Sequence, residues 1–136
     1  MARAKRAEQP LVLAFVDVDG LKSVNDTHGH AAGDRALRDV ANALESRLRA
    51  YDVIVRYGGD EFVCVIQGSI AEAEKRFGQV NKDLAHLSKH PSVTIGLTQM
   101  EPDDSPEEIV ARADAALYQQ KQKGRDVRHA HRPARE

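Results

Sequence analysis

One cysteine, Cys64, in 136 residues leaves no disulfide framework within the chain. It falls in an apolar run of strand length, where a thiol is an ordinary small core residue, and a reducing, cytoplasmic setting fits. No apolar run reaches membrane-spanning length, and the first ten residues carry basic charge without the apolar core of a signal peptide. A soluble intracellular domain with no membrane partner is therefore expected. An excess of one charge is missing too. The 20 basic and 21 acidic residues leave a formal net charge of -1, which gives no overall attraction to nucleic acid polymers or acidic lipid. Any anionic ligand must be gripped locally. The length suffices for one domain that buries a single core without disulfides or structural metal.

What the chain does contain is a stretch, Arg56 to Phe62 (RYGGDEF), with two glycines and two carboxylates between apolar segments. Val53 to Val55 before it and Phe62 to Ile66 after it are rich in β-branched residues, so the glycine pair reads as a β-hairpin turn with Asp60 and Glu61 at its tip. Adjacent carboxylates at a tight turn repel one another. A cation or a metal-polyphosphate complex over them would relieve this, whereas a solvated Gly-Asp turn needs no ligand, and the local sequence admits both readings. Leu11 to Val16 is a continuous apolar run, as in a central strand covered on both faces. It ends in Asp17-Val18-Asp19-Gly20, which puts carboxylates at the sheet's edge, where α/β folds place ligands; Asp19 is equally suited to supporting the turn.

Leu37, Val40, Ala41, Leu44 and Leu48 follow helical spacing. His28 and His30, two apart, would not share a helix face and do not form a paired-histidine zinc site. Ser69 is an N-cap for a helix with Ile70, Ala73, Phe77, Val80, Leu84 and Leu87 on one side. Ser92 to Thr98 alternates like a strand. Ser105-Pro106-Glu107-Glu108 is a capping box, and the helix it opens is expected to run through Leu117 toward Lys121 and stop near Gly124. Arg125 to Arg128 is a candidate for a short last strand, and residues 129–136 for a mobile tail. The order β, α, β-hairpin, α, β matches the split β-α-β ferredoxin-like motif, an α/β (α+β) fold with a mostly antiparallel sheet flanked by helices. Strand one and the hairpin are neighbours in that topology, so Asp17 and Asp60 can meet. Two carboxylates suffice to hold Mg²⁺ against a nucleoside triphosphate, since phosphate and water complete its octahedron.

Three segments in order, Asp17 to Asp34 (DVDGLKSVNDTHGHAAGD), Arg56 to Phe62 (RYGGDEF) and Ala113 to Arg125 (ADAALYQQKQKGR), resemble the GGDEF-domain diguanylate cyclases, bacterial enzymes that join two GTP into cyclic di-GMP. The resemblance implies a core of the nucleotidyl-cyclase and polymerase-palm type over residues 11–128. In that family a further helix and a Leu-Thr-Gly-Leu loop come first; residues 1–10 contain neither and read as an N-terminal remnant. The resemblance implies Mg²⁺, or Mn²⁺ in its place, on Asp17, the Val18 carbonyl and Asp60, with Glu61 supporting the metal or the incoming nucleotide. Asp60, Glu61 and Lys22 form the implied catalytic set.

Asn25, His30 and Asp34 match positions of the guanine pocket, where a carboxylate can accept from N1 and N2 and an amide can pair with the edge acceptors. Gly58 and Gly59 would let the backbone approach the phosphates, which Lys22, Lys121 and Arg125 would contact. Arg49-Ala50-Tyr51-Asp52 matches the family's Arg-x-x-Asp inhibitory site for the product, and arginine can grip guanine O6 and N7 bidentately. On the residues alone, a helix-terminal cation followed by a turn-forming aspartate explains it as well. The implied activity condenses two GTP, with release of pyrophosphate, across a transient homodimer. The alternative is a non-catalytic module that binds GTP or cyclic di-GMP.

Overall fold

The computed structural model describes residues 10–87, 89 and 91–131, with side chains through residue 123. Four strands, β1 (Leu11–Val18), β2 (Val53–Tyr57), β3 (Glu61–Gln67) and β4 (Val93–Gln99), form one sheet in the order β2-β3-β1-β4. Every neighbouring pair is antiparallel. With helices α1 (Leu21–His28), α2 (His30–Arg47), α3 (Ile70–Ala85) and α4 (Pro106–His131), this is the expected ferredoxin-like arrangement.

β1 is central and buried from Val12 through Val18, which is why it reads as an unbroken apolar run. Its pleat divides the core. Val12, Ala14 and Val16 join Phe62, Cys64 and Ile66 of β3 under Leu37, Val40 and Leu44 of α2 and Phe77, Val80 and Leu84 of α3. Leu13 and Phe15 face the other way, onto Ala113 and Leu117 of α4. Burial raises the Cys64 thiol to about 12, so this cysteine stays protonated and inert. β2 is an edge strand that leaves Val53, Val55 and Tyr57 exposed, with the Tyr57 ring 6.2 Å from that of Phe15.

Ser105 forms the expected capping box, and the expected Ser69 N-cap proves to be one as well. Ser69 Oγ accepts from the Glu72 N–H while the Glu72 carboxylate accepts from the Ser69 N–H, and Ser105 and Glu108 do the same for α4. Gly96 has a packing role: a Cβ there would lie 2.2 Å from the Leu117 nitrogen, so its absence lets the α4 backbone lie directly on β4.

Two features differ from the sequence expectation. Residues 21–28 form a separate helix, α1, which broke no visible pattern because eight residues hold too few apolar positions to show a period. Gly29, at φ 90, separates it from α2. The second difference is at the other end: α4 continues through Gly124 to His131, so the short strand over Arg125 to Arg128 is absent and residues 129–131 are helical. A lone glycine costs a helix about 1 kcal/mol and does not stop it unless the next turn is capped. Residues 1–9 of the expected 1–10 remnant and 132–136 of the expected tail lie outside the described residues. No helix among those described is long and apolar enough to cross a membrane.

Candidate active site

The register of the sheet builds the site. Asp17, next to last on β1, pairs with Glu61 at the start of β3 on one side and with Thr94 of β4 on the other. The Val18 N–H donates to the Asp60 carbonyl at 3.2 Å, which pins the hairpin tip to the end of β1. Gly58 turns the chain with φ 73, in the left-handed region that favours glycine. Arg56 Nη2 donates to the Gly59 carbonyl at 2.9 Å and braces the same turn. Open space lies where side chains would project from Gly58 and Gly59.

Asp17, Asp60 and Glu61 each offer a carboxylate oxygen, and the three oxygens lie within 4.8 Å of one another. Asp17 is buried, Glu61 half-buried and Asp60 exposed. Burial raises the proton affinity of Asp17, Lys121 opposes this, and the charges of Asp60 and Asp19 add to it. Glu61 is raised as well, first by burial and then by Asp17 and Asp60. A cluster that resists its own ionisation fits a hard cation: an all-oxygen donor set from three carboxylates suits a divalent ion such as magnesium or manganese. Lys121, reaching in from α4, forms an ion pair with Asp17 Oδ2. No histidine belongs to this cluster.

Asp19 is not in the cluster. Its carboxylate accepts from Ser92 Oγ at 2.6 Å and Thr94 Oγ1 at 2.5 Å, and its N–H donates to the Ser92 carbonyl, so it ties β1 to β4 beyond any local turn. Lys22 is exposed in the first turn of α1, which follows Gly20 at φ 64. Asn25, one turn on, lies against α2 where Gly33 has no side chain; a Cβ on Gly33 would be 1.8 Å from Asn25 Oδ1. That oxygen is buried and has no hydrogen-bond partner among the described residues. A buried acceptor left unsatisfied is costly, and a ligand N–H would satisfy it. Asp34 lines an open recess of about 400 Å³ with Leu37, Arg38, Ala41, Arg56 and Phe62, between α2 and the tip end of the hairpin. His30, the first residue of α2, is exposed and does not line that recess. Arg125 lies on α4, and its side chain is outside the described region.

Arg49 and Asp52 sit elsewhere. Asp52 Oδ1 accepts from the Gln67 N–H, at the end of β3 opposite Glu61. Six residues of strand separate the two ends, roughly 20 Å. Asp52 also accepts from the Arg49 N–H at 2.8 Å and from Arg76 Nη1 at 3.3 Å, and its side chain is wholly shielded. It closes the turn. The Arg49 guanidinium is exposed, donating to the Tyr51 hydroxyl and lying 5.7 Å from that ring's centre.

Sequence reasoning missed Arg56 as a brace, Arg76 as the partner of Asp52, and Leu37 and Phe62 as recess walls. Leu37 and Phe62 carry only the signal of core residues, and Arg76 contacts Asp52 from 24 positions away, which no local pattern marks.

The family described as diguanylate cyclase, GGDEF domain, matches residues 1–127. Diguanylate cyclase DgcP of Pseudomonas aeruginosa is 38% identical over 134 residues, which is 93% of this chain and 20% of that protein. The chain thus spans a fifth of the length of this curated relative. Among solved structures, diguanylate cyclase SiaD in complex with its activator SiaC, also from Pseudomonas aeruginosa, matches with a TM-score of 0.80 and 37% identity over 90% of this chain and 50% of that one. A microbial GGDEF domain described in its interaction with cyclic di-GMP matches with a TM-score of 0.78 and 36% identity, over 90% of this chain and 78% of that one. With the family match over residues 1–127, relatives at 36% to 38% identity and the shared fold in agreement, the chain belongs to the GGDEF-domain diguanylate cyclase family.

Proposed function

We propose that this domain is a diguanylate cyclase half-site: it binds one Mg²⁺-GTP and, facing a second loaded copy, condenses the two into cyclic di-GMP with release of two pyrophosphates. The observation that carries this reading is the convergence of Asp17, Asp60 and Glu61 oxygens within 4.8 Å beside an open, side-chain-free hairpin tip. Asp17 and Asp60, with the Val18 carbonyl, would hold the cation, and Glu61 would support it. Bound there, the cation would withdraw charge from the phosphate oxygens. Gly58 and Gly59 leave room for the triphosphate against the turn. Lys22 and Lys121 bring positive charge toward it, and Arg125 is assigned to the same role by its match to the family motif.

The guanine is read along α2, by Asp34 in the recess that faces the hairpin and by Asn25 where α1 lies against Gly33. Asp34 accepts from the N1 and N2 hydrogens, and the orphaned Asn25 Oδ1 is an acceptor in want of a donor. His30, the exposed first residue of α2, is assigned to the same base only by its match to the family motif. Each 3′-hydroxyl loses its proton to solvent as its oxygen bonds to the partner's α-phosphorus, and the bond from that phosphorus to the bridging oxygen breaks to release pyrophosphate. One domain supplies one nucleotide, so turnover needs a transient homodimer. The exposed Arg49 guanidinium at the far end of β3 offers a separate contact for the product's guanine, with Asp52 fixing the turn that presents it.

Calorimetric titration with Mg²⁺-GTP and Mg²⁺-ATP tests the base assignment. Wild-type protein should prefer GTP, and Asp34→Ala should weaken GTP binding about ten- to a hundredfold with little change for ATP, the range of one well-made base contact. Equal losses for both nucleotides would place Asp34 outside the base site, and a wild-type chain that does not distinguish them would contradict a guanine nucleotide as the substrate.

A further inference from the structure

α4 is set at a fixed height over the sheet by the missing side chain of Gly96, with Ala113 and Leu117 buried beneath it. Lys121 lies one turn beyond Leu117, and its ammonium is paired with Asp17 Oδ2. Asp17 is the most buried of the three clustered carboxylates and has little other access to solvent. Lys121 is two-fifths exposed, so its long stem can swing outward without leaving a hole in the core. Its charge also acts on Asp60 and Glu61. A single ammonium thus neutralises part of a three-carboxylate cluster from within.

Resting on the proposed metal and triphosphate site, we infer that Lys121 is a positioning residue with two alternative partners: it holds the place of the cation on Asp17 until a polyphosphate draws its ammonium away. Two positive groups cannot both sit closely on one carboxylate without mutual repulsion, so the ammonium opposes entry of a free divalent ion. Phosphate oxygens offer the ammonium an equivalent ionic partner, and its departure from Asp17 opens that oxygen to the metal. Metal and nucleotide binding are then positively coupled through one side chain, and the coupling is reciprocal. The domain would discriminate against free divalent ions in favour of their triphosphate complexes. A lysine fixed only on phosphate would impose no such order.

The test is Mn²⁺ binding without nucleotide, read from the electron paramagnetic resonance of the free ion, for wild type, Lys121→Gln and Lys121→Arg. Removing the ammonium should tighten Mn²⁺ binding about tenfold, as expected for loss of one close positive charge in a partly solvated site. Lys121→Arg, which keeps the charge, should bind Mn²⁺ as weakly as wild type. Both variants change a partly exposed residue, and circular dichroism verifies their folding; Lys121→Met is a second neutral variant should the first misfold. Unchanged or weaker Mn²⁺ binding in the neutral variants would overturn the inference, as would tight binding in Lys121→Arg. Mg²⁺-GTP binding by wild type, measured separately by calorimetry, distinguishes this failure from that of the nucleotide site. A chain that binds Mg²⁺-GTP yet shows no effect at Lys121 keeps its proposed function and loses only the coupling.

Discussion

At the scale of single residues the site is built against stability. Glu61 and Asp17 both hold protons more tightly in the folded chain, chiefly through burial, with the neighbouring carboxylates adding to it. Their contribution to stability is therefore fully present below their ordinary values of 4.5 and 3.8 and is lost as pH rises through the folded values. Asp104 acts in the opposite direction. Arg112 holds its carboxyl down at about 2, so its contribution is present above the ordinary range and is lost as pH falls toward that value. The two windows lie on either side of the ordinary carboxylate range. Glu61→Gln removes one charge from the cluster, so without metal the variant should melt a few degrees higher than wild type at neutral pH, and the gap should close at mildly acid pH. Thermal melts at the two pH values measure this. A variant that melts lower at neutral pH would mean that Glu61 contributes a stabilising contact that outweighs the repulsion.

At the scale of elements, the hairpin and β1 were plain in the sequence because apolar strands, a glycine pair and terminal carboxylates are all local signals. The Ser105 capping box and the Ser69 N-cap were legible for the same reason, both being short local patterns, while the reciprocal bond that makes a box of Ser69 and Glu72 was not read from the sequence. α1 was not legible, since Leu21 and Val24 alone cannot define a period, and α4 runs past the glycine expected to end it. Half of the Arg49-Asp52 question was also beyond local reading: whether Asp52 is open to ligand depends on Gln67 and Arg76, which the fold brings to it. With Asp52 committed to the turn, Arg49 is the group left to meet a ligand there. Arg49→Ala should lose cyclic di-GMP affinity by about 1 to 3 kcal/mol, the worth of a bidentate contact to guanine. Mg²⁺-GTP binding should be nearly unchanged, because the cluster is at the other end of β3. Calorimetry with each nucleotide decides it. Comparable losses for both would show that the two ends of β3 are not separate sites.

At the scale of the whole molecule, the sheet order explains why residues far apart in sequence act together. Placing β1 between β3 and β4 puts Asp17 beside Glu61 and Thr94, and α4 returns over the sheet to carry Lys121 to the same point. The topology was inferable from the element order, whereas the Asn25–Gly33 contact and the recess beside Asp34 were not, because they depend on how closely α2 approaches α1 and the hairpin. One domain holds one such site, and the proposed reaction consumes two nucleotides. The most direct measurement is the formation of cyclic di-GMP from Mg²⁺-GTP by the purified chain at high protein concentration, with Asp60→Ala beside it. Wild type should yield cyclic di-GMP and pyrophosphate, with specific activity rising with protein concentration, while Asp60→Ala melts at an unchanged temperature and yields none. Undiminished product from Asp60→Ala, or no product from a wild-type chain that binds Mg²⁺-GTP and associates into dimers, would contradict the account.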